Sequence, residues 1–344
     1  MEENLTITAA GDVFMPGTVR WSNGDYVEND KKSGKNVLDK VAPYFLKSDI
    51  NFCNLEAPIS DKGKPIAGRS AAFRSYPGME EILKKSGITF VSLANNHSLD
   101  YGWEALSDTM ERLKSAGIGY SGAGKNLDEA RKPAVVEKKS MKIALLSYTA
   151  NVNTPMGFKA SANRHGLNPM RISPLLPNHV NMEDIEAMQE DVAKLQKETD
   201  FLAVSCHWGI SEGGTHTVTQ HQEIIAHSAI DAGADMIIGH HPHALQPVEI
   251  YKEKAIIYSL ANFVFGLEED FPKENILFQC LFSKHKINEV KFLPCYMSND
   301  NTPEIVSPED NNGQKVINLM RKLCAKYNIS LRVKQETGEV IISN

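Results

Sequence analysis

The segment Phe90 to Gly102, FVSLANNHSLDYG, constrains this chain more than any other. The run from Ile88 to Leu93 is rich in β-formers and predicts a buried strand. It breaks off into Asn95, Asn96 and His97, and a helix is expected from about Trp103. A strand that ends in polar groups and feeds a helix is how α/β proteins set chemistry at the carboxyl edge of a sheet. Amide oxygens and imidazole nitrogens serve as metal ligands or as hydrogen-bond partners. The same residues suit a plainer role, because Asn95 and Asn96 can make the turn and cap the helix.

The pattern recurs. Leu5, Ile7 and Ala9 alternate with Thr6 and Thr8, a strand expected to end at Gly11-Asp12. A strand from Ile50 to Asn54 runs into Leu55-Glu56-Ala57-Pro58, where Pro58 forbids continuation of a central strand. Phe201 to Cys206 delivers His207-Trp208-Gly209. A short strand from Asp235 to Ile238 runs into Gly239-His240-His241-Pro242-His243. Three imidazoles so close together after a glycine are hard to explain as packing, and two histidines one residue apart can converge on one metal where the backbone turns. Another amide, Asn262, follows Ser259-Leu260-Ala261. His221 and His227 fall on different faces of a helix expected over 219–232 and read as surface or core histidines.

The connecting segments are plainer. Loops are expected over 21–35 and 61–75, and helices over 36–47, 78–86 and 181–198. The last of these aligns Ile185, Met188, Val192 and Leu195, as the helix after Trp103 aligns Leu106, Met110 and Leu113. Gly119 to Lys125 nearly spells a phosphate loop, but Asn126 stands where a hydroxyl is needed and no strand feeds the turn, so a turn into 127–130 is expected. Residues 134–137 and 142–148 read as paired strands. The stretch 149–180, which carries Arg164 and His165, has the length of a lid or binding loop. Residues 1–300 are expected to form the main domain. Residues 301–344 form an extension, a helix over 313–327 and a hairpin, too small to fold alone and expected to pack on that domain or on a second subunit.

Charge and cysteine usage exclude several classes. A net charge of −6 argues against a general nucleic-acid binder. Cys53, Cys206, Cys280, Cys295 and Cys324 are scattered and lack C-x-x-C spacing, which suits buried thiols in a reducing compartment. No apolar run approaches the ~18 residues of a spanning helix. Met1-Glu2-Glu3-Asn4 is acidic and leads straight into a strand, so the chain as written is expected to be cytoplasmic, or extracytoplasmic if a leader was trimmed.

Taken in order, the polar strand ends resemble the CapA family of capsule or poly-γ-glutamate biosynthesis proteins, itself similar to the calcineurin-like metallophosphatases. The matching blocks are Gly11-Asp12, Asn54 to Pro58, Asn95-Asn96-His97 with Asp100 and Gly102, Gly122-Ala123-Gly124, His207-Trp208-Gly209, Gly239 to His243 and Tyr258 to Phe265. The resemblance runs over residues 5 to about 297. It implies an α/β fold, a metallophosphatase-like four-layer sandwich of two packed β-sheets flanked by helices, with loops meeting at one end. It implies Asp12, Glu56, Asn96, His207, His241 and His243 as ligands of one or two divalent ions of Mn, Fe or Zn. It implies His97 as acid or transition-state stabiliser, with Asp100 orienting it, and Asn95, Arg74, Arg164, His240 and Asn262 are expected to meet the substrate. The sequence departs from the pattern in four places. Phe14 replaces the histidine of the first D-x-H block, Glu56 an aspartate, and Ala261 a frequent glycine. Ser211 occupies a slot that often holds glutamate, and Glu212 lies one later. Loss of the first histidine weakens one of the two implied metal sites.

These readings converge on a metal-dependent hydrolase of the CapA type, acting on a phosphoester or on a poly-γ-glutamate or γ-glutamyl substrate. Its expected partner is an anionic small molecule or polymer, and a homo-oligomer is compatible with the sequence. The alternative from another class is a non-catalytic accessory protein that binds an acidic polymer in a basic groove lined by Arg69, Arg74 and Arg164.

Overall fold

Alternation along the strands sets the layering. A computed structural model describes residues 4–29, 37–150, 154–173, 179–211, 214–265, 271–298 and 302–344. In β1 (Leu5–Phe14), Leu5, Ile7 and Ala9 enter one apolar cluster while Ala10 and Val13 enter another. The strands β2 (Ile50–Leu55) and β3 (Phe90–Ser92) lie parallel to it in order, and Gly119–Ser121 follows parallel to β3. On its other side β1 pairs antiparallel with Glu274–Ser283, which pairs with Lys286–Met297.

A second sheet of six strands has a parallel core. It comprises β4 (Met141–Ala150), β5 (Phe201–Trp208), β6 (Met236–His240) and Lys254–Ile257. Met141, Ile143 and Leu145 of β4, Phe201 and Ala203 of β5, and Met236 and Ile238 of β6 pack against the first sheet. The intervening Ala144, Leu146, Leu202, Val204 and Ile237 face helices Met182–Gln196 and Gln220–Asp231. Across the molecule, Cys53, Val91 and Leu93 meet helix Met79–Lys85 and α1 (Gly102–Ala116) through Leu83, Leu106, Met110 and Leu113. Helix, sheet, sheet and helix make the four layers implied by the resemblance. After Lys254–Ile257 the chain leaves the second sheet, and β7 (Asn262–Phe265) joins the carboxyl end of β1.

Several local expectations give way. The expected loops over 21–35 and 61–75 contain strands Tyr26–Asn29 and Ala71–Ser75, which flank Gly17–Trp21 in a small three-stranded sheet. Each of these strands is five residues or fewer and lacks a long apolar alternation, so its pairing is set by tertiary contact. Residues 30–36, including the expected helix start at Asn36, lie outside the described residues. The helix there is only Ala42–Phe45, with Pro43 in its first turn. The near-match to a phosphate loop, expected as a turn, contains strands Gly119–Ser121 and Ala123–Gly124, and Asn126 then caps the short helix Leu127–Ala130 by accepting from the Glu129 amide. Within 149–180, Gly166–Leu167 pairs with Ala123–Gly124, and residues 151–153 and 174–178 are not described.

At the C-terminus, helix Asn311–Cys324 buries Val316, Ile317, Met320 and Cys324 in the cluster between the sheets, with Leu319 and Leu323 half-buried there. Strand Val340–Ser343 pairs with Lys286–Met297 and carries Ser330–Val333 on its far edge. All five cysteines are buried free thiols. Among the described residues, no helix is long and apolar enough to cross a membrane.

Candidate metal centre

Five parallel strands deliver their carboxyl ends to one place. Asp12 lies in β1 at a register shift, opposite Asn54 and Asn262. Gly11 precedes it because a Cβ there would sit 1.9 Å from the Ala261 carbonyl oxygen. That carbonyl accepts from the Asp12 amide at 2.9 Å. Glu56 follows β2, Asn96 follows β3, His207 lies near the end of β5, and His241 and His243 follow β6. His241 at φ 94° and His243 at φ 55° take the left-handed backbone that non-glycine residues avoid. Strain of this kind clusters at functional sites, and here it accompanies two imidazoles gathered on Glu56. Ala261 also has φ 63°, a backbone conformation that glycine adopts most easily.

The result is two overlapping groups of ligand atoms. Asp12, Glu56 and His207 form one, and Glu56, His241 and His243 the other, each with its atoms within 4.8 Å of one another. Glu56 belongs to both. Asn96 Oδ1 lies 2.7 Å from His207 Nε2, and Glu56 Oε1 lies 3.3 Å from the same nitrogen. All six residues that the resemblance implies as ligands therefore gather in one buried cluster.

Burial dominates the electrostatics. It pushes the Glu56 carboxyl well up, and the charges of Asp12 and Asp100 push the same way. For Asp12 burial also acts upward, but bonding to His240, the charges of His240 and His243 and the His241 amide outweigh it and hold the group low. Burial, aided by the neighbouring imidazoles, pulls His207 and His241 well below the ordinary histidine range, and His243 is lowered as well. Neutral imidazoles beside an ionised aspartate are the protonation states that metal binding requires. Neither oxygen of buried Glu56 has a hydrogen-bond partner among the described residues, a costly arrangement unless a cation answers it. The donor set fits a divalent transition metal.

His97 stands beside this cluster. Its Nδ1 lies 2.6 Å from Asp100 Oδ2, and its ring stacks on Phe73. Asp100 is fully buried and accepts from the Phe73 amide and from Arg69 Nε, both at 2.8 Å. Arg69 also donates to the Asn96 carbonyl at 2.8 Å. Phe14 joins Phe73 and Phe265 in an aromatic cluster whose Phe265 ring also meets His243. Phe14 is thus part of the wall behind His97 and His243.

The five residues expected to meet substrate are placed differently. Asn95 is fully buried and bonded at both ends, to Leu55 O and Asn54 through Nδ2 and from the His97 amide and Ser98 through Oδ1. These bonds brace the motif. His240 is also buried, with Nδ1 3.2 Å from Asp12 and its ring against Phe52, and so backs the ligand cluster. Asn262 Oδ1 lies 2.7 Å from His243 Nδ1 and orients that ring. Arg74 lies over the Tyr101 ring at 3.5 Å. Arg164 donates to the Lys159 carbonyl, while His165 stacks on Trp103. Ser211 is described and Glu212 is not. His221 is a buried acceptor for the Gly209 amide, and His227 stacks on Tyr251, both outside the ligand cluster. Asn54, Arg69 and Phe73 are the supporting residues that the sequence alone leaves without a role in this cluster. Asn54 Nδ2 donates to Asp12 Oδ1 at 2.8 Å and lies 3.3 Å from His207 Nδ1.

The family model described as bacterial capsule synthesis protein PGA_cap matches residues 6–267. The chain belongs to this family. The PGA_cap match contains every candidate ligand, His97 and Asn262, and ends before the C-terminal helix and hairpin. Among relatives, the "PGA biosynthesis protein CapA" of Bacillus subtilis is 29% identical over 337 residues, covering 97% of this chain and 81% of that protein. A "Probable polyglutamine synthesis accessory protein" of Mycobacterium tuberculosis is 30% identical over 271 residues, 77% of this chain and 66% of that one. Among solved structures, a 5'-nucleotidase precursor from Thermus thermophilus is similar at 14% identity and a TM-score of 0.49, over 93% of this chain and 59% of that chain.

Proposed function

We propose that this PGA_cap protein is a metal-dependent hydrolase that cleaves a bond in an anionic polymer, with the γ-glutamyl linkage as its substrate class. The observation that carries the reading is Glu56, a buried carboxylate common to both ligand groups and without a hydrogen-bond partner among the described residues. Asp12, Asn96, His207, His241 and His243 would complete the set that holds one or two ions of Mn, Fe or Zn. Such an ion, when bound, brings the pKa of water toward neutrality and polarises the substrate oxygen.

The chain's own residues do the rest. Asp100 Oδ2 engages His97 Nδ1, which leaves Nε2 to carry a proton to the leaving group. Arg69 and the Phe73 amide hold Asp100, and the Phe73 ring fixes the imidazole plane. Water oxygen bonds to the amide carbon, the C–N bond breaks, and the amine departs with the proton from His97. One water is consumed per bond. The names of the relatives, which refer to PGA biosynthesis, support the polymer. A phosphoester would use the same groups.

A second reading, a non-catalytic accessory protein, is favoured by the name of the mycobacterial relative. The test is elemental analysis of protein purified without chelator or His tag, followed by assays on γ-glutamyl oligomers and on phosphoesters. Bound metal with turnover of a γ-glutamyl oligomer supports the proposal. Bound metal with no turnover of either class favours the accessory reading. No metal, and no rise in melting temperature on adding Mn, Fe or Zn, sinks the metal centre.

A further inference from the structure

We propose that the two clefts beside the small three-stranded sheet form a groove for a polycarboxylate chain, leading to the His97 side of the site; the inference rests on the polymer reading above. The strand register supplies the geometry. Thr18 lies opposite Arg74, Val19 opposite Phe73 and Arg20 opposite Ala72. Side chains alternate across a strand, so Val19 and Phe73 share the face buried on Phe14 and Phe265. Arg20 and Arg74 share the other face as a diagonal pair, roughly 7–8 Å apart at the backbone.

Two clefts of about 450 and 400 Å³ open beside these strands, and both are lined by Arg20. Lys64 and Arg69 line the first, and Arg74 lines the second, stacked on Tyr101. Several cations elsewhere are held in ion pairs: Lys62 and Arg112 meet Asp108, Arg131 meets Asp191, and Arg171 meets Asp184. Arg20, Lys64 and Arg74 have no ion-pair partner among the described residues, and the buried Nε of Arg74 has no hydrogen-bond partner there. Asp61 also lines the second cleft; its side chain is 73% exposed and 4.0 Å from Arg112. In a chain of net charge −6, unanswered cations gathered on one face mark a surface for an anion.

The arrangement favours carboxylates repeated along a chain. The cations are spread over two clefts that share Arg20, with Lys64 and Arg69 in one and Arg74 in the other, which suits several anionic groups along a chain. Trp21 and Ile66 add apolar lining to the first cleft, suited to methylene segments between charges. The groove also reaches the chemistry. Arg69 lines it and bonds Asp100, and Tyr101, beneath Arg74, is the next residue after Asp100.

The test uses fluorescently labelled oligo-γ-glutamate, read by anisotropy on the full chain after chelation, so that the result does not depend on turnover. Wild type should bind with an affinity that falls as salt rises. Arg20→Ala combined with Lys64→Ala should weaken binding at least tenfold at an unchanged melting temperature. The control, Lys114→Ala with Lys197→Ala, removes the same charge outside the clefts and should bind within twofold of wild type. No binding by wild type, equal loss in the control, or no loss in the groove variant overturns the groove. Equally tight binding of a single-stranded DNA of matched charge overturns the carboxylate assignment. Absence of hydrolysis would count against the hydrolase reading and leave this result intact.

Discussion

The rings of His97 and Phe73 lie 3.8 Å apart between centroids, with their planes 8° from parallel. The same Phe73 donates its backbone amide to Asp100 Oδ2, the oxygen that engages His97 Nδ1. One strand residue therefore sets the plane of the imidazole and the position of the carboxylate behind it. Phe73→Leu keeps an apolar side chain and removes the stack. Turnover should fall about tenfold to a hundredfold while metal content stays unchanged, since small misplacement of a reacting group is costly. Activity that falls only in proportion to folded protein would make Phe73 a packing residue.

Removal of His97 tests the proton donor itself. His97→Asn should lower turnover by ~10²–10⁴-fold with metal retained. The loss should be milder on a substrate with an activated leaving group, which needs no proton. Loss of metal in this variant would make His97 a ligand, and full turnover would make it structural.

Glu56 should trade stability against metal. Burial and the nearby charge of Asp12 oppose its ionisation in the metal-free protein. Glu56→Gln removes the charge at nearly constant volume, so the chelated variant should melt higher than chelated wild type. Added Mn or Zn should raise the melting temperature of wild type and have far less effect on the variant. His241→Ala should likewise lower bound metal per chain, and unchanged metal content and melting temperature would remove it from the ligand set.

Asp108 should govern part of the acid stability. Burial alone would raise its pKa, but Lys62, Arg112 and Ser60 together pull the carboxyl from 3.8 down to about 2. A lowered folded pKa means that the stabilisation is complete above the unfolded value and is lost as pH falls through the folded one. The shift corresponds to at most about 2.5 kcal/mol, reduced by solvent screening at the exposed Lys62. Asp108→Asn should abolish this contribution, so that denaturant midpoints for wild type and variant converge between pH 4 and pH 2. A constant gap across that range would contradict the assignment.

The alternating strands were legible because period-two burial leaves its mark residue by residue, as in Leu5, Ile7 and Ala9 or Phe201 and Ala203. So were the helices that bury a full apolar stripe, such as α1 with Leu106, Met110 and Leu113. The strands Gly17–Trp21 and Ala71–Ser75 were not, because one of their faces is polar and their order comes from pairing with each other. Asn95 and His240 look like substrate contacts in a list of polar residues, yet their bonds to Asn54 and Leu55 and their place beside Asp12 hold them inside the protein.

The sequence by itself determined where the chemistry-bearing groups stand along the chain: a carboxylate, an amide or an imidazole at the end of each parallel strand, because apolar runs must stop where polar groups begin. Only the tertiary structure decided which of them meet. Asp12 and His241 are far apart in sequence, and they touch because β1 and β6 end on the same side of two packed sheets, with the His241 amide 3.0 Å from Asp12 Oδ2. The supports of His97 are of the same kind. Arg69 and Phe73 lie in a stretch with no periodicity of its own, and their bonds to Asp100 arise only when the small sheet closes over α1's first turn. Long-range contacts of this sort have no local signature, because the free energy that selects them comes from burial shared among elements distant in sequence.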